Sequence, residues 1–244
     1  MTILTPFDLI SRFDERRSVI FVGNAPSLKG EMLGEWIDSH DIVVRFNNLP
    51  PKALVADVGN KTSILVTNPY IEERGNRLEY DEHMLVIALF SQTRRGSHHE
   101  FEYWLNNNSV IYSYSPDIIA VEDNKHYESL STGTYGIQLL SRVLKPSVIS
   151  VTGFTMFLQN TKHHYWSNLT PSGIKAHDFE VEAKIFINII NGFRAKAKLY
   201  ITEDISWVAK KSGIKIKKKN TEIRKLNNDR WRNESRSFWN FRCR

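Results

Sequence analysis

The residues of this 244-residue sequence best suited to chemistry lie in three short stretches. His163, His164 and His177 stand close together, with Tyr165 and Trp166 between them. Histidine titrates near neutrality, so one such ring can take a proton from an attacking hydroxyl while another donates to a departing phosphate. Zinc would need three or four His, Cys or Asp ligands in a locking geometry, and no such spacing exists beyond the adjacent pair. Taken alone, the histidines also read as a surface cluster without a role. Ser131-Thr132-Gly133-Thr134 stands directly before a helical pattern. Hydroxyls, a glycine and free N–H groups at a helix start form an anion site, or else an ordinary N-cap. In the third stretch, Val19 to Val22 runs into Gly23-Asn24, with Ser27 beyond. Gly23 permits a tight turn, Asn24 offers a donor and an acceptor, and Ser27 can cap the next helix. Such a set suits a nucleoside or a phosphate, and equally an ordinary strand–turn–helix joint.

The surrounding pattern says how these stretches are held. Apolar runs rich in β-branched residues recur at 19–22, 42–44, 64–66, 84–89, 110–112, 148–151 and 198–201. Several lack period-2 alternation, as expected of strands covered on both faces. Helical spacing falls at 28–37, 136–144 and 179–190, and the polar, Pro- and Gly-containing segment 158–175 reads as a loop. Alternating strands and helices predict an α/β sandwich with a mainly parallel sheet. In such sheets ligands sit beyond the carboxyl ends of the strands, where Gly23-Asn24 stands. There is no Gly-x-Gly-x-x-Gly, no P-loop and no Asp-x-Asp.

Composition narrows the class further. Residues 210–244 hold 13 Lys or Arg against 3 Asp or Glu, leaving 20 against 24 in the rest of the chain. A mildly acidic body argues against nucleic acid as partner, because a phosphate-tracking groove spreads its charge over the fold. Basic residues mixed with Trp231, Phe238, Trp239 and Phe241 suit an anionic membrane surface; a solvated tail, or one packed on a partner subunit, is the alternative. The single cysteine, Cys243, suits a reducing compartment. No apolar stretch reaches the roughly 18 residues of a membrane span.

Together the stretches resemble glycosyltransferase family 29, the sialyltransferases. The segment from Val22 to Asn48, "VGNAPSLKGEMLGEWIDSHDIVVRFNN", looks like the large sialylmotif, and "STGTYGIQLLSRVLKPSVISVTGF" the small one. "HHYW" resembles the third motif, and "HDFEVE" the very small motif, with Glu182 five positions after His177. The order is right, and the likeness covers roughly residues 18–185.

The resemblance implies a single-domain, modified GT-A-like (Rossmann-like) transferase over residues 1–209, followed by the basic, aromatic tail. It implies a CMP-activated donor, usually CMP-sialic acid, a glycan acceptor, and one inverting displacement without metal or other cofactor. By motif position, Gly23, Asn24 and Asn47 would contact CMP, and Ser131, Thr132 and Gly133 would cradle its ribose and phosphate. His164 would donate to the leaving phosphate, with Tyr165 beside it. His177 would be the general base, supported by Glu182. Animal members carry paired cysteines in the two larger motifs and a membrane anchor; neither is found here, and Ser167 replaces the acidic residue that ends the third motif. These departures fit a bacterial, cytoplasmic enzyme, peripheral on the inner membrane, that builds a surface glycan such as lipooligosaccharide or capsule. A CMP-Kdo-dependent transferase and a non-catalytic nucleotide-binding scaffold remain the alternative functions.

Overall fold

The computed structural model describes residues 2–4, 18–68, 84–91, 109–115, 119–120, 126–127, 130–158, 177–193 and 197–226. Among the described residues nine strands form one sheet: β1 (Thr2–Leu4), β2 (Ser18–Val22), β3 (Ile42–Phe46), β4 (Ile64–Thr67), β5 (Leu85–Ser91), β6 (Ser109–Ser115), β9 (Val148–Thr152), β10 (Lys198–Thr202) and β11 (Thr221–Arg224). Their spatial order is β1-β6-β5-β4-β3-β2-β9-β10-β11, and all eight pairings are parallel. Strands β7 (Ile119–Ala120) and β8 (His126–Tyr127) form a separate antiparallel pair. The described helices are α1 (Gly34–Asp38), α2 (Val55–Val58), α3 (Thr132–Val143), α4 (Phe179–Phe193) and α5 (Glu203–Ser212).

The unbroken apolar runs are explained by burial on two faces. Val19 and Phe21 of β2 point into the larger core with Ile137 and Leu140 of α3, Phe186 and Ile190 of α4, and Ile205 and Val208 of α5. Ile20 and Val22 point the other way, toward Ile37 of α1, Leu28 and Val58. Phe21 and Ile20 are both essentially inaccessible. Burying such a side chain contributes about 1.5–3 kcal/mol each, so a polar substitution in β2 harms either face. Helix α3 lies close on the sheet because it carries Gly136: a Cβ there would come within 2.8 Å of both Phe46 and Val66 side-chain atoms.

Three expectations change. The helical pattern at 28–37 breaks into a short 3-10 turn, Pro26–Leu28, and α1. Between them Gly30 and Met32 take positive φ (82° and 52°), and Asp57 captures their amides at 2.9 and 3.1 Å. Ser27 caps no helix; its hydroxyl donates instead to the Asp204 carboxylate. The boundary at 209 falls inside α5, and residues 221–224 add an edge strand to the sheet. That strand is held by Leu226, buried against the second face, and by Arg224 over the Trp36 ring at 5.0 Å. The expected loop at 158–175 lies outside the described residues apart from Leu158.

Candidate functional site

The strand order reverses at β2. From β2 the chain winds outward through β3, β4, β5 and β6, then returns to place β9 and β10 on the other flank. Connections leave in opposite directions, so a crevice opens beyond the carboxyl ends of β2 and β9. Gly23-Asn24 and Gly153-Phe154 form its floor, and α3, which precedes β9, brings its N-terminus there.

The two strand ends touch. Gly23 N–H donates to Thr152 O at 2.8 Å and Ala25 N–H to Gly153 O at 2.9 Å. A Cβ on Gly23 would lie 2.1 Å from Gly153 O, so only glycine fits. Asn24 is half-buried and donates through Nδ2 to Phe46 O at 2.7 Å, leaving its amide oxygen as the acceptor end. Asn47 follows that carbonyl in the left-handed region, φ 61°, a conformation asparagine tolerates better than most residues. Its N–H donates to Val66 O at 2.8 Å.

Helix α3 is capped as expected. Ser131 has extended backbone, and its hydroxyl accepts from Thr134 N–H at 3.4 Å. The amides of Thr132 and Gly133 sit in the first turn, where N–H groups have no intrahelical acceptor. Gly133 lies against the Phe154 ring, 3.0 Å from where its Cβ would be, which locks the cap to the end of β9.

Glu182 joins this cap to His177. Its Oε1 accepts from Ser131 N–H at 3.0 Å and from the Ser131 and Thr134 hydroxyls. Its Oε2 is buried without a hydrogen bond, 3.8 Å from His177 Nδ1. Asp178 sets the geometry by accepting Glu180 and Val181 N–H at 3.0 Å, which starts α4 and turns Glu182 inward. The His177 side chain is 20% exposed and stacks on Phe179 at 5.8 Å. Phe179 in turn meets Phe157 at 4.7 Å; Phe157 and Met156 both take positive φ, about 50°. Such strain persists only where packing over-determines it.

Of the expected site residues, Gly23 and Asn24 follow β2, Asn47 follows β3, and Ser131, Thr132 and Gly133 open α3. Glu182 lies on α4 and His177 two residues before that helix begins. His164 and Tyr165 lie outside the described residues. Among the described residues no group of three or more His, Cys, Asp or Glu could hold a metal ion, and no helix is long and apolar enough to cross a membrane. Sequence reasoning missed Asp204, which is fully buried beneath the crevice. Burial pushes its carboxyl above the usual carboxylate range, against four hydrogen bonds that pull it down. Its signal, an acid in the first turn of a helix after a strand, is that of an ordinary dipole-facing residue.

Residues 11–192 match the family model described as glycosyltransferase family 29 (sialyltransferase). Over 214 residues the chain is 26% identical to the beta-1,6-galactosyltransferase GALT29A of Arabidopsis thaliana, covering 73% of this chain and 52% of that protein. Over 141 residues it is 30% identical to the human CMP-N-acetylneuraminate-beta-1,4-galactoside alpha-2,3-sialyltransferase, covering 57% of this chain and 34% of that one. The chain therefore spans about half or less of the length of these relatives. A crystal structure of a mammalian sialyltransferase shares the fold, with TM-score 0.51 and 23% identity over 76% of this chain and 68% of that one.

Proposed function

We propose, from the premise that the chain belongs to glycosyltransferase family 29, that it moves a sialic acid from CMP-sialic acid to a hydroxyl of an acceptor glycan. The observation that carries this reading is the carboxylate of Glu182, which ties the N-terminal cap of α3 to a histidine. One half of that cluster suits a nucleotide and the other suits proton removal.

In the proposed mechanism the amides of Thr132 and Gly133, with the dipole of α3, oppose charge on the CMP phosphate. Asn24 and Asn47 contact the nucleotide from the ends of β2 and β3. His177 Nδ1 faces Glu182, which leaves Nε2 to take the proton of the acceptor hydroxyl. The new bond forms between that oxygen and the anomeric carbon as the bond to phosphate breaks; the phosphate oxygen keeps the electron pair, and His164 donates to it. Attack opposite the leaving group inverts the anomeric centre. An oxocarbenium-like centre beside its own carboxylate needs no metal in this scheme, so EDTA leaves the rate unchanged. A surface glycan is the acceptor class. Lys215, Lys217, Lys218 and Lys219 are exposed near the sheet edge and support a peripheral contact with anionic membrane.

The test is CMP release by purified protein in EDTA, with CMP-sialic acid and CMP-Kdo compared. Release from CMP-sialic acid alone supports the reading, and release from CMP-Kdo alone replaces the sugar. Because one relative is named a galactosyltransferase, UDP release from UDP-galactose is measured alongside, and its turnover in place of both CMP donors replaces the donor. Turnover of none of these, with no CMP binding by calorimetry, overturns the reading and leaves a scaffold.

A further inference from the structure

We propose that Asp204, at the start of α5, is a positioning residue for the nucleotide side of the crevice, an inference that rests on the donor reading above. Its Oδ2 accepts from Gly153 N–H at 2.9 Å and from the Ser27 hydroxyl at 2.7 Å. Its Oδ1 accepts from Ile205 N–H at 2.9 Å and from the Thr202 hydroxyl. Four donors from three parts of the chain, the turn at Ser27, the end of β9 and the residues flanking Asp204 itself, converge on one carboxylate that is wholly shielded from water.

The loop from Gly23 to Ser27 hangs from this group at two points. Gly153 gives its N–H to Asp204 and takes Ala25 N–H on its carbonyl, so the position of Asp204 passes through one residue to the neighbour of Asn24. Ser27 fixes the other end of the same loop directly. Gly153 also leads into Phe154, the ring against which Gly133 is packed. Asp204 therefore sets the spacing between Asn24 and the α3 cap without touching the nucleotide.

The chemistry accounts for the residue type. A buried charge is costly unless hydrogen-bonded, and an apolar side chain would leave two N–H groups and two hydroxyls without an acceptor. An asparagine has one acceptor oxygen; its NH2 would face either Gly153 N–H or Ile205 N–H, neither of which can accept. Only an acceptor-only group satisfies both sides at once.

The experiment measures CMP affinity by calorimetry and donor KM and kcat for wild type, Asp204→Asn, Ser27→Ala and Ser150→Ala. Ser150→Ala is the stability control: it removes a buried hydroxyl of β9 that bonds His40 and faces no part of the crevice. The expected result is CMP affinity about tenfold weaker in Asp204→Asn and Ser27→Ala, roughly one charge-assisted hydrogen bond. KM should rise with kcat retained at saturation, while Ser150→Ala melts earlier yet binds CMP as wild type does. Should Asp204→Asn fail to fold, Ser27→Ala, which loses a single hydroxyl, decides alone. Wild-type affinity in the folded variants overturns the inference and leaves the donor reading standing. Absence of CMP binding in the wild type overturns both.

Discussion

Replacing Glu182 by glutamine tests the site most sharply, because the change alters one atom and little volume. The retained carbonyl can keep accepting from Ser131 and Thr134. The new NH2 then stands where Oε2 was, 3.8 Å from His177 Nδ1. Two effects act together. As the acceptor proton arrives, the imidazole becomes a cation, and at this distance with an effective dielectric near 20 the lost attraction is about 4 kcal/mol. In addition, an amide donor facing Nδ1 favours the tautomer with its proton on Nε2, the nitrogen required as the base. The Coulomb loss alone corresponds to about a thousandfold in kcat. Donor affinity should stay within about threefold, because the helix cap persists. The assay is steady-state transfer with CMP binding measured in parallel. A kcat within tenfold of wild type, in a variant that still binds CMP, would refute the coupling of Glu182 to the base.

Gly23→Ala should lower stability by at least ~2 kcal/mol, since the added methyl meets the Gly153 carbonyl at 2.1 Å and backbone cannot yield there; an unchanged melting temperature would contradict the close approach. Asn24→Ala should weaken CMP binding about tenfold while costing ~1 kcal/mol of stability for the lost bond to Phe46 O; full affinity would remove Asn24 from the donor site. His40 supplies a pH dependence. Burial lowers its pKa below 6.5, against carbonyl bonds that raise it, so the folded state prefers the neutral ring. The unfolded chain takes up the proton first as pH falls through about 6.5, and stability is lost below that point. Urea denaturation at about pH 7.5 and 5.5 should show the fall in wild type and a smaller one in His40→Gln; equal slopes would assign the dependence elsewhere.

The parallel sheet was legible because strands buried on both faces cannot alternate: Val19 and Ile20 are both apolar, though they face opposite cores. Ser131 was legible as a cap and Glu182 as a motif acid. That one carboxylate oxygen serves the cap while the other faces His177 was not, since the cap and the acid lie far apart in sequence and meet only when α4 packs on α3. The helix expected at 28–37 fails for the same reason: its spacing is sound, but Asp57, from the next connection, takes the amides that a helix would have used. Asp204 hides behind a common helix-start pattern, and only the pairing of β9 with β10 carries Gly153 to it.

The placement of β2 also orders events in time. One neighbour, β3, comes soon after it in the chain, whereas the other, β9, pairs Thr152 with Val22 across about 130 residues. A nascent chain can therefore assemble the flank from β2 to β6 while the edge that carries Gly23 is still unpaired, and Asp204 emerges from the ribosome later still. The contact of Gly23 with Gly153 therefore forms only after β9 has been made, and Asp204 adds its hydrogen bonds after that. On the donor reading proposed above, a bound nucleotide would then select molecules in which this contact is complete and raise their stability as its concentration exceeds Kd.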